Sequence, residues 1–322
     1  MWRARNVISS CALLLAGCVV TTPAPSQEFP NKPVSIIVAV APGAAPDVTA
    51  RILADSLSRV WKQQVLVVNR PGGSGVVAGQ AAAAAAPDGH NLYMVLSSAF
   101  AVLPESKTKL PFDLATDFTT IGLVADQPMA IGASPKLGVD TLSEFIALAK
   151  RRPNELLYGA SRLTVPHMTG ELLNLRAGIR LGYIPTQGAA KVMQDIMNGS
   201  LHAYVDSVPG MAGAVQNGAL KALAVASDTR LTNYPDLPLV SETLPGFQAK
   251  GWFVLMAPAK TPTATVSRLG ADLRTALNDP DLRKRMEVLG TFARPSSVEQ
   301  TMAYIQAEQQ LWRPIVREIG VD

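Results

Sequence analysis

VSIIVAVAPGAAPDVTARILADSLSRVWKQQVLVVNRPGGSG, residues 34–75, reads as a strand, a Pro-Gly loop, an amphipathic helix, a second strand and a Gly-rich turn. Val34 to Val40 is an apolar, β-branched run, the pattern of a strand covered on both faces in a parallel sheet. Beyond the loop, Val48, Ile52, Leu53, Leu57 and Val60 share one helical face, and Asp47 suits the first turn or cap. The helix therefore begins beside the carboxyl edge of the sheet. Its first amides lack intrahelical acceptors and the helix dipole makes that end locally positive, so it can hold a carboxylate or phosphate without a basic side chain. Gly43 lets the backbone come close to such a ligand.

A chain of 322 residues has material for about two domains, and an apolar content of 48% supports substantial cores. The opening MWRARNVISSCALLLAGCVV carries Arg3 and Arg5 before an apolar stretch too short for a spanning helix, as in an export signal. Leu15-Ala16-Gly17-Cys18 resembles a lipobox, in which Cys18 would be acylated; a plain secretory leader cut near Gln27 is the alternative. The only other cysteine, Cys11, falls inside the leader, so the folded body is expected to have no disulfide or thiol chemistry. Without Arg3 and Arg5 the net charge of +4 falls to about +2, which argues against nucleic acid as a partner. Residues 19–30, VVTTPAPSQEFP, read as a polar tether.

Strand and helix signals alternate through the body as in an open α/β sheet. The first group holds the 34–40 strand, the helix after Asp47, a strand at Val65 to Val68, an Ala-rich helix ended by Pro87-Asp88-Gly89, and a strand at Asn91 to Leu96. A second group follows the apolar run Ile121 to Ala125. Thr141 and Glu144 are spaced as a capping box, a strand is expected at Leu156 to Tyr158, and the loop Gly159 to His167 leads to a helix containing Met168, Leu172 and Leu173. Further strands are expected near Tyr183, Val205 and Ala222 to Val225. Gly251 to Met256 reads as one more strand, followed by helices starting near Thr263, Asp281 and Ser297. This tail is expected to pack back on the first lobe. Two connections, near residues 125 and 252, would then join the lobes and suit a hinge: residues 28–125 plus 253–322 form one lobe, 126–252 the other, and 1–27 the export signal and tether.

The 41–47 loop lacks the GxGxxG spacing of a nucleotide fingerprint. The loop Ser161-Arg162-Leu163-Thr164 occupies the equivalent place in the second lobe, with the Ser161 and Thr164 hydroxyls and another helix start. Facing lobes would bring both helix N-termini to one cleft, an arrangement suited to an acid with two or more carboxylates. Arg162 could grip a carboxylate bidentately or stand solvated. His167 and Glu171 lie one helical turn apart, but with His90 and His202 isolated there is no cluster for a metal, so His167 reads first as a capping or packing residue and no cofactor is expected. Gly72-Gly73-Ser74-Gly75-Val76 fails the GxSxG elbow at Val76. Asp206-Ser207 follows a strand and could reach the cleft or simply start a helix; Trp252 could wall the cleft or pack in a core.

From Phe29 onward the chain resembles the Bug-type substrate-binding proteins of tripartite tricarboxylate transporters. The matching stretches include Phe29-Pro30-Asn31-Lys32-Pro33-Val34, Ala41-Pro42-Gly43 with Asp47 and Ala50-Arg51, Val68-Asn69-Arg70-Pro71-Gly72, and Ala86-Pro87-Asp88-Gly89. Leu110-Pro111-Phe112-Asp113, Pro166-His167 with Gly170-Glu171-Leu172, Pro235-Asp236-Leu237-Pro238 and Trp252 with Ala257-Pro258 continue the match. The resemblance implies a type II, two-lobed periplasmic-binding-protein fold, each lobe an α/β sheet, that closes on a small carboxylate and presents it to a large and a small membrane subunit. It also implies first-lobe contacts from Gly43, Ala44, Asp47 and Ser97 or Ser98, and second-lobe contacts from Ser161, Thr164 and His167. The chain departs from the family at Ala44, where a second Gly is usual, in a second-lobe loop one residue shorter that carries Arg162, and at Pro185-Thr186-Gln187-Gly188, where Thr186 and Gln187 replace Tyr and Lys.

The expectation is an exported, lipid-anchored periplasmic receptor, monomeric and without catalytic activity, whose ligand residues include Arg162 and Asp206 beside those just named. An enzyme using Asp47, His167 and Asp206 in the same cleft, or a receptor serving a sensor system, are the alternatives.

Overall fold

The computed structural model describes residues 29–106, 110–186 and 189–320. The leader, its lipobox Cys18, and Gln187-Gly188 lie outside the described residues. Strand β1 (Val34–Val38) leads through the Pro-Gly loop to α1 (Ala45–Trp61), then β2 (Val65–Asn69), α2 (Val76–Ala83), β3 (Asn91–Leu96) and α3 (Ser97–Ala101). After the long β4 (Phe118–Ala133) and α4 (Leu142–Arg151), the plan repeats with β5 (Leu157–Ala160), α5 (Val165–Ala177), β6 (Gly182–Pro185), α6 (Ala189–Asn198), β7 (Ala203–Ser207) and α7 (Val208–Gln216). The chain closes with β8 (Lys221–Val225), β9 (Lys250–Pro258), α8 (Thr263–Asn278), α9 (Pro280–Val288), β10 (Phe292–Ala293) and α10 (Val298–Ile319).

The strands line up as β2-β1-β3-β9-β4-β7-β5-β6, with β8 and β10 also on β4. In each half three parallel strands, β2-β1-β3 or β6-β5-β7, meet an antiparallel neighbour at the third, β9 against β3 and β4 against β7. Strand β4 belongs to both halves: Phe118 to Pro128 pair with β9, and Met129 to Ala133 pair with β7. The change of partner falls at Pro128, which has no N–H to give to a ladder. This is the two-lobed α/β architecture of periplasmic binding proteins.

Helices cover both faces of each half. In the first half α1, α8 and α9 bury Leu53, Leu57, Leu273 and Met286 against Ile36 and Leu92, while Tyr93, Phe118, Trp252 and Trp312 pack on the other face. In the second half Phe145, Tyr158 and Met168 occupy one face, and Val192, Tyr204 and Met211 the other. Buried Trp252 stacks on Phe100 with ring centroids 5.4 Å apart, and its Nε1 donates to Glu308 Oε2 at 3.0 Å. It is a packing residue beside the crossing.

Most expected elements form. Thr141 and Glu144 make the capping box of α4, and the three C-terminal helices begin at Thr263, Pro280 and Val298. The first strand ends at Val38 rather than Val40 because the Val40 carbonyl accepts from the Asn69 side chain at 3.0 Å instead of from a ladder. The Ala-rich helix stops at Ala83; the turns at Ala84 and Ala85 tighten ahead of Pro87, which disfavours helical backbone just before it. The run Ile121 to Ala125 is only part of the 16-residue β4.

Gly170 on α5 lies flat against Tyr158 of β5: a Cβ there would come within 2.3 Å of the ring. Gly170→Ala should lower unfolding stability by about 1–3 kcal/mol through overpacking. Gly213→Ala on α7, where a Cβ meets nothing within 4 Å, should be neutral or stabilising by up to about 1 kcal/mol. Urea unfolding of both variants checks the contrast.

Candidate functional site

Both loops that follow the first strand of a half are built the same way. Helix α1 starts Ala45-Pro46-Asp47 after the N-cap Ala44, and α5 starts Val165-Pro166-His167 after the N-cap Thr164. In each, the third helical residue turns its side chain back to the amide four positions earlier, which lies on a residue with positive φ. Gly43, at φ 83°, donates to Asp47 Oδ2 at 2.8 Å. Leu163, at φ 56°, donates to His167 Nδ1 at 3.4 Å, a long bond enclosed in the core. Val48 and Met168 are the first amides to bond back, to the carbonyls of Ala44 and Thr164. The proline at the second position has no N–H, so Ala45 and Asp47 in one loop, and Val165 and His167 in the other, supply the open first-turn amides.

The two braces differ in charge. Asp47 is buried, and its carboxylate receives Gly43 N–H, Asn69 Nδ2 at 2.8 Å and the Arg51 guanidinium at 2.9–3.0 Å. Burial pushes this carboxyl up, but hydrogen bonds from Arg51, Gly43 and Asn69 outweigh it and hold it below the usual range. Every oxygen of Asp47 is thus occupied within its own lobe, and Gly43 N–H is spent on the brace. His167 is also buried, its ring stacked on Tyr183 at 3.9 Å. Burial, with the neighbouring Arg162 charge, lowers it from 6.5 to about 4, so the ring is neutral. Because Nδ1 accepts from Leu163, the ring proton is assigned to Nε2.

The loops meet. Ser74, in the turn after β2, donates its hydroxyl to the Arg162 carbonyl at 3.2 Å. Arg162 is exposed, and its charge acts on both His167 and Tyr183. Ser161 donates to the Thr186 carbonyl at 3.3 Å, and Thr164 Oγ1 donates to the Ser161 carbonyl at 2.6 Å, so both hydroxyls hold the loop's shape. Ser97 and Ser98 are buried at the end of β3, where Ser97 Oγ accepts from Trp252 N–H at 3.3 Å. At the end of β7, part-buried Asp206 accepts from the Tyr204 hydroxyl and from Ser207 N–H at 2.6 Å. Burial raises its carboxyl against the pull of these donors. Its carboxylate lies so close to the start of α7 that a Cβ on Gly210 would approach it within 2.6 Å. Two open surface hollows, against α8 and against the start of α10, include no residue of either loop.

The sequence pattern places the loops but not Asn69 and Arg51 as the braces of the first, nor Ser74 as the residue that ties the turn after β2 to the second. The Asp47–Arg51 spacing of four was a usable signal. Asn69 and Ser74 come from other elements and gave none.

Because the fold accepts the neutral His167 ring, its contribution is complete above pH 6.5 and is lost as pH falls towards about 4. Relative to His167→Gln, which titrates nothing there, the wild type should lose up to about 3 kcal/mol across that window. Urea unfolding of both proteins at pH 8, 6, 5 and 4 measures the difference.

The sequence model for the tripartite tricarboxylate transporter family receptor matches residues 49–321. Protein BugT of Bordetella pertussis is 31% identical over 318 residues, spanning 98% of this chain and 98% of that protein. The solved structure of the R. palustris protein Rpa4515 with adipate superposes with a TM-score of 0.87 at 27% identity, over 91% of this chain and 99% of that one. MatC from Rhodopseudomonas palustris, with bound malate, gives 0.80 at 28% identity, over 89% and 100%. The matched family is one of receptors, not enzymes, and the two structures hold adipate and malate. With this architecture and these matches, the chain belongs to the tripartite tricarboxylate transporter receptor family, the Bug-type periplasmic solute-binding proteins.

Proposed function

We propose that this receptor captures a small di- or tricarboxylate between its lobes and delivers it to the large and small membrane subunits of a tripartite transporter. The observation that carries this reading is a pair of loops built to the same plan, one in each half and each with open helix amides, with the turn after β2 tied to the second loop by the Ser74–Arg162 hydrogen bond. The lobes on this reading are residues 28–125 with 253–322, and residues 126–252. Gly43, Ala44, Asp47, Ser97 and Ser98 shape the first side of the cleft; Ser161, Arg162, Thr164, His167 and Asp206 shape the second. Asp47 and His167 act chiefly by fixing their loops, and the amides beside them face the ligand. An open receptor engages the acid through one lobe, and closure adds the second set of donors, so ligand shifts the population to the closed form.

Calorimetry against di- and tricarboxylates, amino acids and aromatic acids tests the reading; binding should be confined to carboxylates, and silence across the panel contradicts it. Ser74→Ala removes one interlobe hydrogen bond of about 0.5–1.5 kcal/mol, so affinity should fall about 2- to 10-fold.

The mature chain is proposed to be a monomer anchored through acylated Cys18, with residues 19–27 as tether. Cys18→Ala should move the protein from the membrane fraction to the soluble periplasmic fraction. An unchanged distribution would favour the plain secretory leader.

A further inference from the structure

Away from the crossing strands, side-chain hydrogen bonds join the two halves at separate places. One runs from Ser74 to the Arg162 carbonyl. Another lies at the end of α9, where Asn233 Nδ2 donates to the Glu287 carbonyl at 2.7 Å. Asn233 belongs to the connection between β8 and β9, in the second half, and α9 belongs to the first. The junction continues into direct packing. Gly290, at φ 67° just past α9, has no room for a side chain, since a Cβ would lie 3.0 Å from two carbons of Val208 at the start of α7.

Both partners are shaped before they meet. Leu231 to Tyr234 make a tight turn, its ends bridged in antiparallel fashion, with Tyr234 N–H donating to the Leu231 carbonyl at 3.0 Å and Leu231 buried. Arg230 holds Glu242 through bonds of 2.8 and 3.0 Å and the Pro235 carbonyl at 3.1 Å, and Val225 N–H ties Pro238 to β8 at 2.9 Å. Exposed Asn233 stands at the tip of this turn, and among the described residues its side chain hydrogen-bonds nothing in its own half. Opposite it, the Glu287 carbonyl lies in the last turn of α9, at the negative end of the helix dipole, where a side-chain N–H is a complementary partner. That carbonyl also accepts from Gly290 N–H at 2.8 Å, so Asn233 takes its second lone pair. A hydrogen bond weakens steeply as its length and angle depart from this range, so a relative movement of the halves breaks it.

We infer that Asn233 is an interlobe clasp: it hydrogen-bonds the end of α9 and stabilises the lobe arrangement in which Ser74 meets Arg162. On the receptor reading, on which this rests, that arrangement is the one that holds ligand. The clasp therefore raises affinity without touching the ligand, by favouring the binding-competent state.

The test is small-angle scattering of the mature receptor free of ligand, beside calorimetry with each carboxylate that the wild type binds. Asn233→Ala should enlarge the radius of gyration of the free receptor and weaken every ligand by one common factor of about 2 to 10, leaving their order unchanged. Asn233→Asp sets a carboxylate against the negative end of α9 and should weaken them further, about 3- to 30-fold. Thr232→Ala, its exposed neighbour on the same turn, should change neither quantity, which separates the clasp from damage to the turn. A size and an affinity that Asn233→Asp leaves unchanged, or losses that differ from ligand to ligand, overturn the clasp and leave the receptor reading standing. A wild type that binds no carboxylate overturns the receptor reading, and the scattering of the free proteins then decides the clasp by itself.

Discussion

Strand β4 runs from Phe118 to Ala133 and changes partner at Pro128, so both lobes hang on one strand. That continuity fixes how the halves can sit. Strand β3 runs with β4 and β7 runs against it, so the carboxyl ends of both parallel trios point towards the crossing at Pro128. Around the crossing, buried Asp126 accepts from the Tyr304 hydroxyl at 3.1 Å, and Tyr304 lies between Lys250 and Arg294. Burial raises the Asp126 carboxyl, with Arg294 and Lys250 opposing the shift. Helix α10, which supplies Tyr304 and Glu308, packs on β4 and reaches α5 in the other lobe. Side chains from the tail thus brace the point where the lobes join.

On this frame the site needs few charged groups. A side chain at the third helical position, Asp47 or His167, holds a left-handed loop residue, so the loop's shape is set before any ligand arrives. The amides left open are fixed dipoles on rigid helices, and ordering them costs nothing further on binding. The identity of the bracing residue sets the local field. Asp47 brings a charge that Arg51 matches and Asn69 hydrogen-bonds, whereas His167 is neutral and Arg162 forms no ion pair among the described residues.

Much of this was legible in the residues. The strand–loop–helix plan followed from β-branched runs, from Asp47 at a helix start and from the capping spacing of Thr141 and Glu144, all local signals. The length of β4 was not legible, because Asp126, Gln127 and Pro128 interrupt its apolar pattern; they are buried only through partners as remote as Tyr304 and Thr291. Within the site, Asp47 could be placed but not its saturation, which depends on Asn69 from β2. The contact of Ser74 with Arg162 joins residues 88 positions apart through turns with no periodicity to read. Hydrophobic patterning reports which face is buried, and polar partnership across the fold leaves no such trace.

Capture between the lobes requires both loops to contact one ligand together. Hydrogen exchange of the receptor, free and saturated with a diacid that it binds, tests this most directly at the amides of Ala45, Asp47, Val165 and His167. Simultaneous protection in segments 43–48 and 163–168 is the expected result. Protection of one segment alone, or of neither while the acid is demonstrably bound, would contradict it.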